Sequence, residues 1–253
     1  MNINSSKSQA QKAYLEAKFP QKTREEIIAL SRYVVSSRDS RSIYLFASKF
    51  HNLINYHTYV DKIIELADIK YAYFTARDIP GLSSQEIQKL ETVILESDPY
   101  SKKILKISCT WDEIAKYSTF FLRDIPTKNP KLLLSKIDTA LSSNSMTPRY
   151  IIQTLICLSR LPSNHHHHQH PTLPNYREFV LRHTIAQIDV DICFAVARSV
   201  PSVVFPLAQA IMVLENGEAL LERLLKELGP KKLRGRLRSD ILDRISTYEV
   251  VNS

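Results

Sequence analysis

The chain has 253 residues, of which 44% are hydrophobic and 24% charged, with a formal net charge of +8. This is the balance of a folded chain, long enough for one large domain or two modest ones, and it excludes a disordered polymer. Only four glycines occur, Gly81, Gly217, Gly229 and Gly235, so no window holds a dinucleotide fingerprint, and Arg236 stands where a P-loop needs its lysine.

Taken in chain order, the sequence reads as a series of helix starts and stops. The first twelve residues are polar and lack the apolar core of a signal peptide. Thr23-x-x-Glu26 is a capping box, and Ile27, Leu30 and Val34 follow at helical spacing. His57, Asp61, Glu65 and Asp68 share one helical face and are expected as a solvated acidic surface. Ser83-x-x-Glu86 opens a helix over Ser84 to Ser97, carried by Ile87, Leu90, Val93 and Ile94. Thr110-x-x-Glu113 is a third capping box, and Asn129-Pro130 opens a helix over Pro130 to Ser143. Thr147-Pro148 and Asn175-x-x-Glu178 are further starts. Pro80-Gly81, Pro126, Gly217 and Gly229-Pro230 read as stops. Strand alternation is nearly absent. The fold class expected is all-α, an irregular α-solenoid or helical-repeat array of short helix–turn–helix units.

The charge falls in blocks. Residues 1–50 carry +5, 51–100 carry −4, 101–170 carry +6 and 171–253 carry +1. An excess of this size permits contact with an anionic polymer without requiring it. Cys109, Cys157 and Cys193 lie 48 and 36 residues apart, with no C-x-x-C. They read as buried, inert thiols in a reducing, cytoplasmic setting. The strongest apolar run, Val203 to Leu214, holds Pro206 and Gln209 and is too short to span a membrane.

Residues 162–174 have three prolines and a histidine tract, His165 to His168 with His170, and no periodicity. They divide the chain into an N-terminal helical region, 1–161, and a C-terminal one, 175–253. A Pro-flanked tract lacks the rigid geometry of a metal centre, so neither a metal nor a cofactor is expected.

Some helices echo one another. Tyr71-Ala-Tyr-Phe-Thr-Ala-Arg-Asp-Ile-Pro80 returns as Tyr117-Ser-Thr-Phe-Phe-Leu-Arg-Asp-Ile-Pro126, an offset of 46. Tyr44 to Phe50 lies 29 residues before its counterpart at Tyr73 to Ile79, and Phe194 to Pro201 is a fainter copy. The stretch Tyr71 to Tyr100 resembles tandem α-helical repeats of uncharacterised bacterial, phage and large-virus proteins. In those, an aromatic, Phe-Ala, a basic residue and Asp-Ile-Pro-Gly precede a helix with a Lys-Leu-Glu core. Pro126 lacks the glycine, and Ser199 replaces the aspartate. The resemblance implies a helical array and brings no catalytic residues with it.

The terminal segment Lys231, Lys232, Leu233, Arg234, Gly235, Arg236, Leu237, Arg238 holds five cations and no acid. Its cations are candidate contacts for nucleic acid or another anion; Lys102, Lys103 and Lys106 form a weaker patch. The reading favoured is a non-enzymatic scaffold that binds a protein partner through a helical-repeat surface. The alternative is a nucleic-acid-binding protein that uses residues 231–238 and the basic N-terminal surface. An enzyme would need a pocket joining His57 or His183 to two carboxylates.

Overall fold

Helix starts organise the architecture. The computed structural model describes residues 3–100, 109–161, 176–187, 189–214 and 216–232, and among them there are thirteen α-helices and no strand. All three capping boxes form. Thr23, Ser83 and Thr110 each accept the amide of the glutamate three residues on, and that glutamate accepts the cap's own amide at 2.8–3.0 Å. Two backbone donors that would otherwise be orphaned are thereby satisfied at each start.

The described chain forms two compact units, 1–145 and 146–253. In the first, helices pair as hairpins: α1 (Ile3–Ala17) with α2 (Arg24–Val35), α3 (Ser40–Phe50) with α4 (His57–Leu66), α5 (Ile69–Asp78) with α6 (Ser84–Leu95), and α7 (Trp111–Asp124) with α8 (Pro130–Ser142). The odd-numbered helices pack one on the next in a layer, and the even-numbered helices form a second layer. Phe46, Tyr73, Ile114 and Phe121 from the odd layer are buried, as are Leu90, Ile94, Leu133 and Ile137 from the even one. Each such side chain stabilises the unit by about 1.5–3 kcal/mol on burial.

Two turns carry particular constraints. Gly81 has φ +76°, a left-handed backbone that glycine adopts without a Cβ clash, and its carbonyl accepts a hydrogen bond from the Tyr56 hydroxyl at 3.1 Å. Helix α4 ends on Ala67 in the same left-handed region, φ 53°, with no glycine to announce it. Because α4 ends there, Asp68 lies off its face and instead caps α5, accepting the amides of Lys70 and Tyr71 at 3.2 and 3.3 Å. The expected row of four acidic-face residues is therefore one short.

The second unit holds α9 (Pro148–Ser159), α10 (Tyr176–Ala186), α11 (Val190–Ser199), α12 (Val204–Met212) and α13 (Gly217–Lys232). Helix α9 packs on α10 and α11, so it belongs with the helices beyond the Pro/His-rich segment although it lies before it in sequence. The unit boundary accordingly falls after Ser145, earlier than the composition break at residue 162 suggested. Its core joins Phe194, Leu207, Ile211, Leu221 and Leu224. Gly217 and Gly229-Pro230 do not stop helices here: Gly217 begins α13 and Gly229-Pro230 lies within it. The glycine at 217 answers a close approach, since a Cβ there would lie 2.6 Å from the Ile211 carbonyl oxygen. Among the described residues no helix is long and apolar enough to cross a membrane.

Candidate functional site

The chemistry that stands out is built from α3, α5 and α7. On α5, Arg77 binds Asp78 through Nε and Nη2 at 2.6 and 2.8 Å, and its guanidinium lies over the rings of Tyr73 and Phe74. On α7, Arg123 binds Asp124 through the same two nitrogens at 2.7 and 2.8 Å and lies over Phe120. Each aspartate also accepts a phenol from the preceding odd helix: Tyr44 donates to Asp78 at 2.5 Å, and Tyr73 donates to Asp124. The rings match too, with Tyr44 against Tyr71 and Phe74 and Tyr73 against Tyr117 and Phe120. Residues offset by 46 in sequence thus make the same contacts in space.

The electrostatics follow from these contacts. The hydrogen bonds from Arg77 and Arg123 hold the Asp78 and Asp124 carboxyls below the usual carboxylate range. Burial, reinforced by Asp78, pushes the Tyr44 phenol up to about 12. Burial does the same to Tyr59, whose hydroxyl donates to the Ser31 carbonyl at 3.0 Å and so joins α4 to α2. A phenol whose folded value is raised contributes stability that is complete below the unfolded value, about 10, and is lost as pH rises towards the folded one. The N-terminal unit is therefore expected to lose stability between pH 10 and about 12. Urea midpoints at rising pH check this; Tyr59→Phe should flatten the loss, and an unchanged slope in that variant would contradict the assignment.

Aligning α3, α5 and α7 on these contacts reveals three rows that cross the layer. Arg41, Lys70 and Lys116 occupy one row, Leu45, Phe74 and Phe120 the next, and Ser48, Arg77 and Arg123 the third. Arg41, Lys70, Arg77 and Arg123 are exposed, whereas Leu45, Phe74 and Phe120 are half-buried. The positive charge of Arg41 acts on Tyr71, opposing the burial that pushes that phenol up. Lys70 sits over Tyr71 at 5.4 Å, and Lys116 over Tyr117 and Phe120 at 5.3 and 5.8 Å. Cations over ring faces are attracted by the ring quadrupole and held outward.

The residues singled out from sequence are dispersed. His57 bonds Glu86 at 2.5 Å, Lys62 pairs with Glu65 at 2.7 Å, and Asp61 is exposed. His183 is buried against Phe179. Asp189 caps α11 at the amides of Asp191 and Ile192, and Asp191 pairs with Arg223 at 3.2 Å. Of the thiols only Cys193 is buried, and burial pushes it up to about 11; Cys109 and Cys157 are half-buried, short of the full burial expected. Lys231 and Lys232 end α13, while Arg234, Arg236 and Arg238 lie outside the described residues, as do the histidine tract, Asn175 and Lys102, Lys103 and Lys106. Among the described residues no group of His, Cys, Asp or Glu could hold a metal ion.

Sequence reasoning noted the Arg-Asp-Ile-Pro string but missed its partners, Tyr44 and Tyr73, and the row formed by Arg41, Lys70 and Lys116. The signal was present: the offsets of 29 and 46 superpose these three positions. No family model matches the chain, and neither curated proteins nor solved structures yield a match.

Proposed function

We propose that this protein is a non-enzymatic interaction scaffold, an irregular α-solenoid of helix–turn–helix units that holds a protein partner on the layer formed by α3, α5 and α7. The observation that carries this reading is the three-row surface, in which matched residues of successive helices present cations on either side of an apolar line. Stacked repeats characteristically create extended binding surfaces of this kind. The likeness of Tyr71 to Tyr100 to tandem helical repeats agrees with it; a cytoplasmic setting is part of the same proposal, in keeping with three free thiols.

A nucleic-acid reading draws instead on Lys231, Lys232, Arg234, Arg236 and Arg238 and on the basic N-terminal surface, since phosphate contacts come from lysine and arginine. Affinity capture of the full chain with and without nuclease separates the two. The scaffold reading expects a stoichiometric protein partner retained after nuclease treatment. Loss of all captured material on that treatment would overturn it.

A further inference from the structure

We infer that the α3–α5–α7 face receives an acidic amphipathic segment of the partner, one with an apolar spine and carboxylates along the edge that meets Arg41 and Lys70; this rests on the scaffold reading. The rows define that chemistry. Leu45, Phe74 and Phe120 are half-buried and form the central line, and rings so placed give contact area at low entropy cost. Arg41 and Lys70 are exposed on one edge, and Arg77 and Arg123 are exposed on the other.

Charge complementarity favours a protein segment over a continuous polyanion. Arg77 and Arg123 each share their charge with a neighbouring aspartate, so Asp78 and Asp124 lie among the cations at the second edge. A nucleic-acid backbone brings a charge at every few ångströms and would meet those carboxylates. A peptide sets its acids apart and places apolar side chains against Phe74 and Phe120. Packed helices lie about 8–10 Å apart, so the rows run roughly 16–20 Å from α3 to α7. A partner helix of about 11–13 residues covers that length at about 1.5 Å per residue.

The test is fluorescence anisotropy with the full chain and three labelled probes at physiological salt. They are a sixteen-residue peptide of repeated Glu-Glu-Leu-Phe, its Gln-Gln-Leu-Phe counterpart, and a fifteen-nucleotide oligothymidylate. The acidic peptide is expected to bind about tenfold more tightly than the glutamine peptide and more tightly than the oligonucleotide. That tenfold corresponds to about 1.4 kcal/mol. The double variant Arg41→Glu/Lys70→Glu should abolish the difference between the peptides, and Arg41→Lys/Lys70→Arg should keep it; thermal melts confirm that both variants fold. Equal binding of the two peptides, a preference surviving in the charge-reversed variant, or tighter binding of the oligonucleotide would each overturn the inference. A nuclease-resistant partner captured equally by the charge-reversed variant would remove this inference and leave the scaffold reading standing.

Discussion

Replacing Glu91 by alanine is expected to destabilise the N-terminal unit by about 3 kcal/mol, because a buried acceptor of several hydrogen bonds is lost and its donors are left without partners. Glu91 lies on α6 and is 0% exposed. Its carboxylate accepts from the Thr127 hydroxyl, from the Asn129 amide at 3.1 Å and from Asn129 Nδ2 at 3.3 Å. It therefore holds the turn that leads from α7 into α8. The side chain of Asn129, which a cap-before-proline pattern would assign to α8, is turned to Glu91 instead. Glu91→Gln keeps the volume and one acceptor oxygen, so its loss should be about half as large. Trp111, the single tryptophan and the first residue of α7, reports unfolding of this unit. A loss below about 1 kcal/mol in Glu91→Ala would show that the turn stands without this anchor.

The second large effect is a coupling. Tyr73 is 1% exposed and donates to Asp124 across the α5–α7 contact, while Arg123 holds the same carboxylate. A hydrogen bond to a charged group contributes about 1.5–3 kcal/mol. In a double-mutant cycle of Tyr73→Phe and Asp124→Asn the two losses should overlap by about 1.5–2 kcal/mol. The corresponding Tyr44→Phe change should cost less, since Tyr44 is only half-buried and solvent competes for its hydroxyl. Additive losses at Tyr73 and Asp124 would mean that the two helices are joined by ring packing alone.

Much of the fold was legible because its signals are local. Capping boxes at Thr23, Ser83 and Thr110 act within three residues, and the apolar spacing from Ile87 to Ile94 lies on one helix. Boundaries failed where a residue answered something distant. Gly217 resembles a stop, but its missing Cβ makes room for the carbonyls that end α12. Ala67 turns left-handed without a glycine, and α4 therefore ends before Asp68. The limit between the units escaped composition because α9 packs on α10 and α11, a tertiary preference that no local string records.

The candidate surface was half-legible. The repeated Arg-Asp-Ile-Pro string marked Arg77 and Arg123, but their hydrogen-bond network includes Tyr44 and Tyr73 from the helix before, 34 and 51 residues away from the aspartates they bind. The unequal distances arise because the segments joining the odd helices differ in length, which hides a constant spatial relation behind irregular sequence spacing. The histidine and carboxylates expected as solvated surface have local duties that the sequence does not spell out: Asp68 and Asp189 cap helices, His57 bonds Glu86, and Glu65 pairs with Lys62.

The most direct measurement on the scaffold account is site-specific photo-crosslinking in the native cell extract. A photo-reactive side chain is placed at Ser48, within the row that continues to Arg77 and Arg123, and separately at Asp61 on the exposed side of α4 in the other layer. The account predicts one protein adduct from Ser48, mapped to an acidic segment of the partner, and none of that partner from Asp61. An adduct made of nucleic acid, or the same partner captured from Asp61 and not from Ser48, would contradict it.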